Sequence, residues 1–482
     1  MTTTVERPTL PDGVVAIVKR DCPTCTLVEP VLQRIHGGAV PLAVYCQDDP
    51  GFPAGVAVGD DRDLTVSYLW DIETVPTLLR IEGGAETARL VGWDREQWRV
   101  FLGDDELGAD LPEWRPGCGS LSVDPTRADE LRVRFSASSL RSRRVDFAEL
   151  EDPFEAMFDR GWSDGLPVVP PTEARVARML EGTVRAADDV VTVVPPDLAE
   201  CTVEKVAVNA VMAGCRPEYL PVVLTALEAA CTSEFNMHGL LATTFFSGPV
   251  IVVNGPIRER IGMNSGVNAL GQGNRANATI GRALQLVIRN VGGGLPGGVD
   301  RATMGSPGKL GWCFPELEEG SPLSPLSVAR GVAPGTDALT LFAGHGPQAI
   351  IDQKSRSAES LARTFAACLR SVAHPKLCIK IDAMLVISPE HGRVLADDGW
   401  DRDRLEGRLA ELLTLDSDEL VASAGGIAEG LPEAFGGMEL PKFRDGGLLI
   451  CHAGGGAGLF SAIIGGWVNG TEGSDPVTRE IT

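Results

Sequence analysis

The sequence predicts an α/β chain: a small N-terminal domain over residues 1–105, a linker over 106–150, and a large glycine-rich α/β or α+β domain over 151–482, built as one body or two lobes. Three observations predict this. An apolar run of strand length at residues 14–18 precedes a helical stripe of Leu27, Val28, Val31, Leu32 and Ile35. An acidic and then Pro/Gly-rich stretch interrupts the pattern after residue 103. Beyond residue 151, apolar strands, glycine loops and amphipathic helices succeed one another.

The N-terminal elements follow in order. After the apolar run come Cys22 and Cys25, three residues apart at the start of the helical stripe, so both share one face and can close a small disulfide ring. Free N–H groups and the helix dipole lower the pKa of the first thiol. Asp21, next to it, acts the other way. The chain has no second CxxC, so a four-cysteine zinc site lacks its other half. A strand follows at 39–46, then a helix end running into Val75-Pro76-Thr77, two strands around Gly83-Gly84, and a helix near 94–102. These motifs resemble the thioredoxin superfamily over residues 10–105. The resemblance implies a cis Pro76 facing the CxxC and a Val75 backbone that pairs with an incoming peptide or thiol; the dithiol is expected to face solvent.

Composition limits the partners. A net charge of −23 argues against nucleic acid and anionic membrane surfaces. The longest apolar stretch, near 239–253, is broken by Ser247, Gly248 and Pro249, so no spanning segment is expected. Eleven scattered cysteines do not form a secreted disulfide framework, and a reducing cytoplasm is the expected location. Within the linker, Cys118 lies among Pro116, Gly117 and Gly119 and is expected to be exposed. It is either a relay carrying a disulfide from Cys25 to the next domain or an incidental thiol.

The large domain opens with a rigid loop, Gly161 to Thr172, leading into a helix. Thr202 caps the next helix, with Val203, Val206, Ala207, Ala210 and Val211 inward. It ends at Gly214-Cys215, and Arg216-Pro217 begins another helix. Cys215 therefore reads either as a thiol activated by a helix start and by Arg216, or as a small residue filling a helix corner. Glu218 stands beside it.

A glycine-rich stretch runs from Asn254 through Asn264 to a helix carrying Arg275, Asn277, Arg282 and Arg289. Strand, glycine loop and helix form a pocket of N–H groups able to hold an anion, although the spacing fits neither a Walker nor a dinucleotide fingerprint. Arginines seven residues apart suit a carboxylate or phosphate, or else form a solvated or subunit-interface stripe. Residues 150–480 resemble a bacterial protein family without an assigned activity, on the stretches 210–219 and 275–283. Cys313, near Glu316, Glu318 and Glu319, is a further thiol candidate on an expected loop. His238, His345, His391 and His452 lack metal-ligand spacing, so no metal and no cofactor beyond the dithiol are expected.

The expected function is a thiol-dependent redox or sulfur-transfer enzyme. Cys22 attacks a disulfide or sulfenyl adduct formed at Cys215, or else at Cys313 or Cys118, and Cys25 resolves it. The substrate is a small anion or thiol bound by Glu218, Asn254, Asn264, Arg275, Asn277 and Arg282, with an external thiol reductant and a homo-oligomeric state as further expectations. The alternative is a non-catalytic binding or chaperone-like protein with a docking module.

Overall fold

The computed structural model describes residues 7–38, 40–135, 140–148 and 150–482. Mixed helices and strands divide into two compact units, Met1–Ser139 and Leu140–Thr482.

In the first unit β1 (Gly13–Val18) pairs in parallel with β2 (Leu42–Cys46), which pairs in parallel with β3 (Val58–Asp60). The two-residue β4 (Thr74–Val75) leads across a cis Val75–Pro76 bond into β5 (Thr77–Glu82), which lies antiparallel to β1 and to β6 (Ala85–Val91). The sheet order is therefore β3-β2-β1-β5-β6. Helix α1 (Pro23–Ile35) buries Val28, Val31 and Leu32, the stripe its 3.6-residue period predicts.

Residues 106–135, expected as part of a linker, instead complete this unit. Leu107 is wholly buried in its core. Short strands β7 (Trp93–Asp94) and β8 (Trp114–Arg115) pair with each other, β9 (Cys118–Gly119) pairs with β4, and a helix spans Pro125–Arg134. Strands of two residues carry no readable periodicity, and so their sequence resembles a connector.

The second unit is built on a seven-stranded sheet. Strand β10 (Gly248–Asn254) lies between β11 (Trp312–Pro315), parallel to it, and β12 (Ala338–Ile351), antiparallel. Strand β13 (Ile381–Ile387) has the same two kinds of neighbour, β14 (Leu448–His452) in parallel and β15 (Phe460–Val468) antiparallel. Pairing of β12 with β15 joins the halves, and β16 (Val477–Glu480) adds to β12. One three-strand plan thus occurs twice. The sheet also curls, because Leu317 N, just past β11, donates to His452 O at 2.7 Å. Alternate residues from six strands, including Val252, Phe314, Phe342, Val386, Cys451 and Ile464, form one inner cluster. The outer faces are covered by helices, and α2 (Arg275–Asn290) packs so closely on β11 that a Cβ on Gly281 would lie 2.5 Å from Trp312 N.

Candidate functional site

Cys22 occupies the position before the first turn of α1, with extended backbone angles (φ −145°, ψ 113°), and its sulfur accepts from Cys25 N at 3.3 Å. The neighbouring Cys25 thiol, then the Cys118 thiol and the Cys25 and Thr24 amides, hold the Cys22 thiol down to about 5 against the opposing effect of burial. Cys25 moves the other way: burial, followed by the adjacent Cys22 sulfur, pushes its thiol far up. One cysteine is thus set as thiolate and the other as thiol, the division thiol exchange requires. The Cys22 sulfur also lies 3.6 Å from Val75 O, next to the cis bond before Pro76.

The dithiol does not face solvent. Cys22 is 1% exposed and Cys25 is wholly buried. The cover is the chain's own segment from Trp114 to Ser120. In β9, Cys118 stands opposite Val75, in the place expected for an incoming partner. Thr24 Oγ1 donates to Pro116 O (2.7 Å), Lys19 Nζ to Gly119 O (2.8 Å) and Ser120 N to Glu73 O (2.9 Å). Gly117 admits no side chain, since a Cβ there would lie 2.3 Å from Thr74 Cγ2 and 2.8 Å from Val75 O. Cys118 itself is half-buried, and burial, then its contact with Cys22, raises its thiol. The sequence signal for this residue was its Pro/Gly setting, which reads as exposure and not as docking.

In the second unit, Gly214 ends the helix Val203–Ala213 in a left-handed conformation (φ 89°), and Cys215 follows. Its thiol is buried 3.4 Å from Thr279 O, and burial pushes it up to about 12 despite the charges of Arg275 and Arg282. This corrects the expectation of an activated thiol. A 3-10 turn, Pro217–Tyr219, lies between Cys215 and the helix Leu220–Ala230. The other candidate thiol, Cys313, is not on a loop. It lies within β11, 3% exposed, and burial raises its thiol.

A cleft of about 710 Å³ opens beside Cys215, and Arg175, Arg178, Arg216, Arg275 and Glu218 are among its lining residues. Of the expected substrate ligands it gathers only Arg275 and Glu218. Arg275 Nε is tied to Gly214 O at 2.8 Å.

The remaining candidates are engaged elsewhere. Arg282 forks onto Asp164 (Nε to Oδ2 2.7 Å, Nη2 to Oδ1 2.8 Å) and also donates to Pro167 O at 3.0 Å, clamping the opening loop of the domain onto α2. Asn277 takes the Asn264 amide on its Oδ1 and donates to Asn264 O and Ala269 O, so this pair braces the glycine loop. Asn254, wholly buried at the end of β10, donates to Glu316 Oε2 (2.7 Å) and Glu318 Oε1 (2.9 Å). Burial raises the Glu316 carboxyl, which also accepts from His452 N where the sheet edges meet. His391 and His452 bond to Ser461 Oγ and Leu317 O respectively. Among the described residues no three His, Cys, Asp or Glu side chains converge as metal ligands do, and no helix is long and apolar enough to cross a membrane.

No protein-family model matches the chain, and no curated protein matches it.

Proposed function

We propose that the protein is a thiol-dependent oxidoreductase in which Cys22 is the nucleophile and Cys25 the resolving thiol, with a small anion bound in the arginine-lined cleft of the second unit. One observation carries the redox reading: adjacent thiols driven in opposite directions, Cys22 down to about 5 and Cys25 far up, at the head of one helix. The resemblance to thioredoxins around the CxxC and Val75-Pro76 supports it. Cys215 and Cys313 leave the proposed mechanism as exchange partners, because both are buried and their thiols are raised. The chaperone-like alternative loses support for a related reason. The backbone edge of Val75 that an extended peptide needs is already paired with Cys118.

The test is redox equilibration of the full chain against glutathione buffers, with bond mapping by mass spectrometry under non-reducing conditions. A single Cys22–Cys25 disulfide forming with a two-electron midpoint supports the reading. Its absence over the whole range of buffers overturns it. For the cleft, phosphate and simple carboxylates are titrated against melting temperature. Stabilisation that Arg275→Ala and Arg178→Ala both abolish supports an anion site, and stabilisation that survives both overturns it. A cytoplasmic setting, whose thiol pool supplies the external reductant, fits this chemistry.

A further inference from the structure

Cys22 has a chemical problem that its surroundings pose: the reactive sulfur is 1% exposed. An external disulfide cannot reach it in line without displacing the segment that covers it. That segment is fastened at Thr24, Lys19 and Glu73, and at Gln47, whose Nε2 donates to Ser120 Oγ at 2.6 Å and whose Oε1 accepts from Leu121 N at 3.0 Å. It presents one thiol, Cys118, paired in register with Val75, whose carbonyl oxygen lies 3.6 Å from the Cys22 sulfur, and partly open to solvent.

Resting on the redox reading above, we propose that Cys118 is a third redox cysteine, a tethered port through which a disulfide substrate exchanges with the buried Cys22–Cys25 pair. The steps balance. Cys118 attacks one sulfur of the incoming disulfide as its proton leaves for the departing substrate thiolate. The substrate S–S bond breaks, that fragment departs as a thiol, and Cys22 stays a thiolate. Cys22 then attacks the Cys118 sulfur and expels the second substrate thiolate. Cys25 finally attacks Cys22, breaking the Cys22–Cys118 bond, and its proton passes to Cys118. The dithiol has lost two electrons, the substrate disulfide has become one thiol and one thiolate that takes up a solvent proton, and Cys118 is regenerated. Tethering in the sheet keeps Cys118 at high effective concentration beside Cys22.

The experiment uses the full reduced chain and oxidised glutathione. In Cys25→Ser the last step is blocked, so a Cys22–Cys118 disulfide accumulates and appears in non-reducing peptide maps. In Cys118→Ser and Cys118→Ala, formation of the Cys22–Cys25 bond slows by about tenfold or more while its equilibrium constant against glutathione stays unchanged. Oxidation of both Cys118 variants at the wild-type rate or faster would make the segment a passive cover and overturn the proposal, as would Cys25→Ser carrying glutathione on Cys22 with Cys118 free. Those results leave the Cys22–Cys25 couple standing, whereas a wild-type chain that never forms that bond removes the redox function itself.

Discussion

Among single residues, the Cys22 thiolate is stabilised by groups that only folding assembles: the Cys25 thiol, the Cys118 thiol and two amides of the first helical turn. Its folded pKa of about 5 lies below the ordinary thiol value of 9.0. Between those values the unfolded chain binds a proton that the folded chain does not, so stability rises with pH there and this contribution is lost as pH falls through 5. Hydrogen exchange at the β1 amides of the reduced protein is expected to show that rise, and Cys22→Ser to flatten it. Thiolate absorbance should titrate with a midpoint near pH 5 that the same substitution removes. Cys215 obeys the opposite logic. Its thiol, pushed up to about 12, is expected to resist alkylation at neutral pH until the second unit opens.

Between elements, two contacts decide how segments dock. Arg282 and Asp164 are 15% and 11% exposed in their side chains and form a two-bond fork. Arg282→Ala leaves Asp164 without its partner and is expected to cost roughly 2–4 kcal/mol, somewhat below the cost of breaking a wholly buried pair. Arg282→Lys should recover little, since an ammonium cannot make the fork. Denaturant midpoints of the second unit check both. Unchanged stability with weakened phosphate binding would return Arg282 to the anion site. In the first unit, Gly117→Ala forces a methyl group against Thr74 and Val75 O. The segment should lift, and iodoacetamide should then label Cys22 faster than in the wild type, as mass spectrometry of tryptic peptides would read.

Across the full chain, the hydrophobic clusters divide as the fold does. One core serves Met1–Ser139, while the inner and outer faces of the curled sheet serve Leu140–Thr482. Separate cores imply separate cooperative transitions. Calorimetry of the reduced and oxidised full chain is expected to resolve two, with oxidation of the dithiol moving only that of the first unit. A single transition shifting as one would mean the two units unfold together.

Local spacing is enough to specify the α/β character, the helix that carries Cys22 and Cys25, and the caps at Thr202 and Gly214. Each is written in a period of 3.6, a turn residue or a cap. What the polar residues do is settled only when distant surfaces meet. Arg275 and Arg282 look alike seven positions apart, yet one lines a cleft and the other is spent on Asp164, 118 residues earlier. Cys215 has the neighbours of an activated thiol in sequence and the burial of a core residue in space. Cys118 carried no signal beyond a Pro/Gly context, and its place opposite Val75 follows from a two-residue strand pairing across more than forty residues. Desolvation and long-range pairing depend on which surfaces come together. No local pattern encodes that meeting, and it is what sets the reactivity of Cys22, Cys118 and Cys215.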